Sequence, residues 1–302
     1  MQGWCWISLC LCVSQAIAQR FALPDVLAEV SGLYVATADS LWWHNDSGNR
    51  PVLYCTDGQG RLKDSIVLSV PNRDWEDLTA DAQGHMFIGD FGNNRNTRTD
   101  LIIWRLSANE PAEPQPIAFS WPDQRAFPPS MPWRNFDCEA FFYYRDSLYL
   151  LSKDKVGRQR GRYRTKLYVL PDSATSPLVA HLLDSLWLKN RVVTGAALSP
   201  DGTQVALIAY DFRFIFGFLP WSRASIFVFE GWQGKRLSGL RVWRKHVSWL
   251  LPTQYEAIDF LDDQHLLIGR ERTPFTKQLA KVVSLRRLRP WRKQVRLIQT
   301  RP

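Results

Sequence analysis

Five polar residues occupy one position of a repeated pattern: Ser31, Glu76, Glu139, Thr194 and Glu256. Each is followed by a second residue, usually small, and then an apolar one, as in Ser31-Gly32-Leu33, Glu139-Ala140-Phe141 and Glu256-Ala257-Ile258. Three carboxylates and two hydroxyls are hard oxygen donors, a set that suits calcium with waters completing the shell. No His or Cys recurs at this position, which disfavours zinc. If the five converge, their glutamates repel: two unit charges about 5 Å apart cost ~3 kcal/mol at an effective dielectric of about 20. Protons or a cation must then offset the repulsion. The alternative is five separate polar turns whose glutamates pair with basic neighbours.

A second group of polar residues follows about fourteen residues behind the first. His44-Asn45-Asp46-Ser47-Gly48-Asn49, Asp90-Phe91-Gly92-Asn93-Asn94-Arg95, Lys153-Asp154-Lys155, Tyr210-Asp211-Phe212-Arg213 and Arg270-Glu271-Arg272 are the five members. Asp46 and Asp90 lie beside glycine-rich turns, where a carboxylate can position or deprotonate a water, or close an Asx turn. Arg95, Lys153, Arg213 and Arg270 are candidate ligands for an anion, since guanidinium forks match phosphate oxygens. His44 reads as a hydrogen-bonding loop residue. The stretch Phe212 to Trp221 is apolar for a loop and is a candidate lid, stacking platform or docking patch.

The elements that carry these residues repeat with them. Seven residues after each polar start lies a turn, as in Gln83-Gly84 and Asp201-Gly202, and a second apolar strand follows it. Third strands are expected at Val52–Tyr54, Leu101–Trp104, Lys166–Val169, Ser225–Val228 and Lys281–Val283. Fourth strands are expected at Ser65–Leu68, Pro116–Phe119, Val179–Leu182, Leu240–Trp243 and Gln294–Leu297. Four strands repeated five times predict an all-β fold, a five-bladed β-propeller with four antiparallel strands per blade. In that fold the first strand is innermost, so the five polar starts converge on the axis. The loops after the second strands share their face.

Residues 1–18 are expected to be a secretory signal: Trp4 to Val13 is uncharged and mostly apolar, and Ala16-Ile17-Ala18 is a small-x-small cleavage site. The run is too short to span a bilayer. Residues 19–302 then form a single propeller domain, secreted or periplasmic, with no transmembrane segment. Cys55 and Cys138 fall in different repeats and are expected to be free thiols. With 38 basic and 29 acidic side chains the net charge is +9, which favours an anionic partner, or reflects a solvated basic surface. The basic stretch from Lys277 to Arg301 reads as a solvated outer face.

The ring and its loops resemble the soluble calcium-activated nucleotidases (apyrases), whose axial ligands follow the order Ser, Glu, Glu, Ser, Glu; here the fourth is Thr194. Tyr255-Glu256-Ala257-Ile258-Asp259-Phe260 is similar to that family's fifth-blade segment. Phe87-Ile88-Gly89-Asp90-Phe91-Gly92 and Asn45-Asp46-Ser47-Gly48 are similar to its second- and first-blade loops. Asp74-Trp75-Glu76-Asp77 and Gly89-Asp90-Phe91-Gly92-Asn93-Asn94 also look like a set of exported bacterial propellers. The resemblance implies an axial calcium and a phosphohydrolase acting on nucleotides or other phosphoesters. Lys153 is the nearest counterpart of the family's basic pair in the third blade. The residues themselves leave open a non-catalytic propeller whose structural metal supports a face binding an anionic ligand or protein. A lactonase-like propeller fits the glutamate-rich ring less well, and no specific nucleic-acid binding is expected.

Overall fold

Apolar residues at every second position build each repeat into one antiparallel sheet, because alternate side chains leave a strand on opposite faces. The computed structural model describes residues 17–154, 164–173, 177–188, 191–215, 219–248 and 253–291. Five sheets form five blades. Blade 1 runs through Val30–Thr37, Ser40–Asn45, Val52–Thr56 and Leu62–Val67. Blade 2 runs through Trp75–Ala80, Met86–Asp90, Leu101–Leu106 and Gln115–Ser120. Blade 3 runs through Asp137–Tyr143, Ser147–Lys153, Arg164–Pro171 and His181–Trp187. Blade 4 runs through Val192–Leu198, Gln204–Ile215, Leu219–Glu230 and Arg241–His246. Blade 5 runs through Tyr255–Asp262, His265–Arg270 and Leu279–Ser284, with Arg20–Ala22 on its outer edge.

The first strands of the five blades touch one another around the axis. Between each pair of adjacent blades lies one apolar core, five in all. The second strand of blade 3 shows how alternation fills two of them: Leu148 and Leu150 point toward blade 2, Tyr149 and Leu151 toward blade 4. Among the described residues, no helix is long and apolar enough to cross a membrane. Cys55 and Cys138 are free and buried.

Three expectations about strands need correction. The outer strand of blade 5 is Arg20–Ala22, paired Arg20↔Lys281 and Ala22↔Leu279; Gln294–Leu297, expected there, lies outside the described residues. The chain start thus closes the ring and covers the edge that Leu279–Ser284 would otherwise expose. In blade 3 the fourth strand is His181–Trp187, and Leu178–Val179 instead pairs in parallel with blade 2. The apolar Phe212 to Trp221 stretch is not a free loop: Gln204–Ile215 and Leu219–Glu230 pair along their whole length, out to Ile215↔Leu219.

Candidate metal centre

A β-bulge marks the start of every inner strand. The register with the second strand shifts between Val30 and Gly32, Trp75 and Asp77, Cys138 and Ala140, Val193 and Gly195, and Tyr255 and Ile258. The residues inside those shifts include Ser31, Glu76, Glu139, Thr194 and Glu256. A bulged residue is left out of the ladder and its side chain is re-aimed. One polar residue per blade is thereby released at the axial end, and all five are buried. The second strands reach the same level, through Val30↔Asn45, Trp75↔Asp90, Asp137↔Lys153, Val192↔Tyr210 and Tyr255↔Arg270, and all but that of blade 4 end there.

Three groups of carboxylates interlock there. Asp46, Asp74 and Glu76 bring oxygens within 4.8 Å of one another; so do Asp46, Glu256 and Glu271, and Glu76, Asp137 and Glu139. Asp46 and Glu76 each belong to two groups, so all the carboxylates form one continuous cluster. The three ring glutamates enter it with different partners. The two ring hydroxyls take another role: Ser31 Oγ donates to the Glu76 carbonyl, and Thr194 Oγ1 donates to the Tyr255 carbonyl at 2.9 Å. Each hydroxyl ties its strand to the next blade and keeps lone pairs for other contacts.

Burial and mutual repulsion hold Asp46, Asp74, Glu76 and Glu271 toward the protonated form. Burial, then Glu256 and Asp74, push the Asp46 carboxyl up to about 7. Glu76 is pushed well above the carboxylate range by burial and then by Asp46, Asp137 and Asp74. Burial first and Glu256 second push Glu271 up strongly. Among the described residues, Lys153 Nζ pairs with Glu139 inside the cluster, both side chains buried. The Tyr210 phenol faces the same charges, raised by burial and then by Glu256 and Glu271.

Glycines let the backbone close over this cluster. A Cβ on Gly92 would lie 2.0 Å from Glu76 Oε1 and 2.4 Å from Asp74 Cγ. A Cβ on Gly195 would lie 2.1 Å from the Glu256 carbonyl oxygen.

The remaining sequence candidates take varied places. Asp46 lies in the cluster. Asp90 is buried with donors on both oxygens: Arg98 Nη2 at 3.1 Å and the Asp74 amide at 3.2 Å on Oδ1, and Trp104 Nε1 at 3.3 Å on Oδ2. Arg95 is exposed, and Arg270 Nε donates to the Lys277 carbonyl at 3.0 Å. Arg213 lies in the extended blade 4 hairpin, where its backbone pairs with Trp221. His44 is buried over Gly32, with Nδ1 3.0 Å from the Asn45 carbonyl, and burial lowers its pKa to about 4.

Asp74, Asp137, Glu271 and Tyr210 are the cluster residues not singled out from the sequence. A signal for two of them exists: Asp74-Trp75-Glu76 and Asp137-Cys138-Glu139 repeat an Asp-x-Glu step at the same blade position. Glu271 occupies in blade 5 the post-strand position that Asp46 holds in blade 1.

No family model matches the chain, and no curated protein matches it in sequence. Solved structures do match in fold. A mannose phosphorylase from Leishmania mexicana, solved with phosphate ion, aligns at TM-score 0.50 and 12% identity, covering 90% of this chain and 86% of that one. An α-L-arabinofuranosidase from Fusarium graminearum aligns at 0.48 and 10%, covering 91% and 99%. A gluconolactonase from Xanthomonas campestris aligns at 0.42 and 14%, covering 89% and 88%. At these identities the likeness is one of propeller fold.

Proposed function

We propose that this chain is an exported propeller that binds one calcium ion at the acidic end of its axis and hydrolyses phosphoesters or phosphoric anhydrides, nucleotides among them. The observation that carries this reading is the interlocked carboxylate cluster around Asp46 and Glu76. Hard, buried, mutually repelling oxygens with an internal ammonium group fit a divalent hard cation, which takes the place of protons on the raised carboxyls such as Asp46 and Glu76. The soluble calcium-activated nucleotidase resemblance of the ring points the same way.

When bound, calcium supplies charge neutralisation for phosphate oxygens and a site for water. Asp46, half in the cluster and held near neutrality in its protonation, is placed to accept a proton from an attacking water. Lys153 orients Glu139. Arg95, exposed in the blade 2 loop, is free to meet an anionic substrate, while Arg213 lies within the blade 4 hairpin and Arg270 ends the second strand of blade 5. Residues 1–18 are proposed as the export signal. Cleavage after Ala18 would keep the blade 5 closing strand Arg20–Ala22 in the mature chain.

A second reading has its own support. Asp90 is fully engaged by Arg98, Trp104 and the Asp74 amide, and Lys153 is engaged by Glu139, so two groups expected to serve chemistry are held by the fold. In that reading the metal is structural and the face binds an anionic ligand or a protein. The deciding experiment measures calcium binding by calorimetry and turnover of nucleoside diphosphates, triphosphates and simple phosphoesters with calcium or chelator. Calcium-dependent turnover lost in Asp46→Asn supports the enzyme. Calcium binding without turnover of any of them supports the binding module. Absence of calcium binding defeats both.

A further inference from the structure

A second cluster, of opposite sign, lies where blades 3 and 4 meet, at the same end as the carboxylates. Cross-strand pairing assembles it on one face of blade 4: Asp211↔Arg223 joins the second and third strands, and Phe227↔Arg244 and Ser225↔His246 join the third and fourth. Arg191 reaches in from the connection between blades 3 and 4. Its Nε donates to Ser225 Oγ at 3.1 Å, and that hydroxyl lies 2.9 Å from His246 Nδ1.

Two guanidiniums are stacked on rings. Arg191 lies over Phe227, 5.8 Å from its centroid, and Arg223 lies over Trp221 at 5.4 Å. Stacking on an aromatic face fixes the plane of each guanidinium and leaves its edge, rather than its face, as the hydrogen-bonding side. Arg223 Nε is buried with no hydrogen-bond partner, and its Nη2 approaches the Asp211 carboxylate only to 4.0 Å. The cations feel one another: burial and then Arg223 lower Arg244, and burial followed by Arg244, Arg191 and Arg223 lowers His246 to about 4. A buried Arg223 donor without an acceptor, set among further cations on one blade face, describes a site made for an anion.

We propose that Arg191, Arg223, Arg244 and the Ser225–His246 pair form an oxyanion site for a tetrahedral phosphate or sulfate group. The site shares no residue with the carboxylate cluster and does not depend on a metal there. His246, exposed at its edge, would gain a favourable neighbour when the anion binds.

The test uses the full chain and titrates inorganic phosphate and sulfate at constant ionic strength against sodium chloride. The His246 ring signal is followed by NMR, which is practical because the chain has five histidines. Either anion is expected to raise the His246 pKa saturably, while chloride leaves it unchanged. A response to phosphate alone assigns the site to phosphoryl groups, and a response to both assigns it to tetrahedral oxyanions generally. Arg223→Gln and Arg244→Gln should each weaken binding roughly tenfold or more, whereas Arg241→Gln, beside Glu230 at the opposite end of the outer strand, should not. An identical His246 titration in phosphate, sulfate and chloride overturns the proposal, as does wild-type affinity in both glutamine variants. If those variants fail to fold, the wild-type titration decides alone.

Discussion

Lys153 Nζ is paired with the Glu139 carboxylate within the axial cluster, and side-chain exposures of 6% and 5% keep water from both. Removing one partner of a buried pair leaves an uncompensated charge, which costs about 3–5 kcal/mol. Lys153→Met is therefore expected to lower stability by about 3 kcal/mol or more in chelator, and by less in millimolar calcium. Glu139→Gln should lower the melting temperature and weaken calcium binding. Denaturant melts of both variants with and without calcium check this. Equal losses in the two conditions would separate the pair from the metal.

Asp46 and Asp90 should part company on substitution. Asp46→Asn removes one of several crowded carboxylates, so the metal-free melting temperature should hold or rise while calcium affinity falls. Asp90→Asn loses acceptor capacity toward Arg98, Trp104 and the Asp74 amide and should cost about 1–3 kcal/mol regardless of calcium. Thermal melts paired with calorimetric calcium titrations distinguish the two patterns.

The pH dependence has a definite sign. Asp259, buried and accepting from the Val35 and Phe260 amides, is pushed up by burial to about 7, as is Asp46. A carboxyl whose folded pKa exceeds its unfolded value binds more protons when folded. Stability is thus greatest below about pH 4 for these groups and falls as pH rises toward 7. In chelator the melting temperature should drop between pH 5 and pH 8, tracking both groups. Calcium should flatten the Asp46 part, because the ion replaces the proton, and binding should release protons into a weak buffer. A metal-free melting temperature that rises over this interval would contradict the burial of these acids.

Gly92 and Gly48 offer a matched pair of alanine substitutions. At Gly92 a Cβ would overlap Glu76 and Asp74, whereas Gly48 has a φ of +80° and open space around it. Gly92→Ala should lower calcium affinity together with stability. Gly48→Ala should cost about 1 kcal/mol, from backbone strain alone, with calcium affinity retained.

Deleting residues 1–18 removes the Ala18 amide bond to the Gly58 carbonyl and the packing of Ile17 at the core edge, and should lower the melting temperature only slightly, since the closing strand begins at Arg20. Deleting through Leu23 removes that strand and exposes the surface that Phe21 and Leu23 cover, each buried. Burial of such side chains contributes roughly 1.5–3 kcal/mol each, so this truncation should melt many degrees lower or aggregate through the bare Leu279–Ser284 edge. A scanning-calorimetry comparison of the two truncations checks it.

The sequence alone determined the blade repeat and the five polar positions at the bulged starts of the inner strands. The reason is that a bulge at the start of each inner strand imposes the same local demand five times, a polar residue followed by a tight approach, and that demand leaves a periodic trace at Ser31, Glu76, Glu139, Thr194 and Glu256. Turn residues and two-residue alternation marked most strands for the same local reason. The partners of the ring were decided only in three dimensions. Every blade carries an acid on or just after its second strand, namely Asp46, Asp90, Asp154, Asp211 and Glu271, and the sequence, which marked only Asp46 and Asp90 by their glycine-rich turns, does not say what each one meets. The tertiary structure turns Asp46 and Glu271 into the carboxylate cluster, gives Asp90 to Arg98, sets Asp154 on the Arg164 amide, and leaves Asp211 facing Arg223. Which strand closes the ring was likewise not local: Arg20–Ala22 reaches Leu279–Ser284 across the whole chain, and only the geometry of closure selects it. Spacing along the chain records what each strand requires of itself, while charge pairing depends on which neighbours the blades bring within reach.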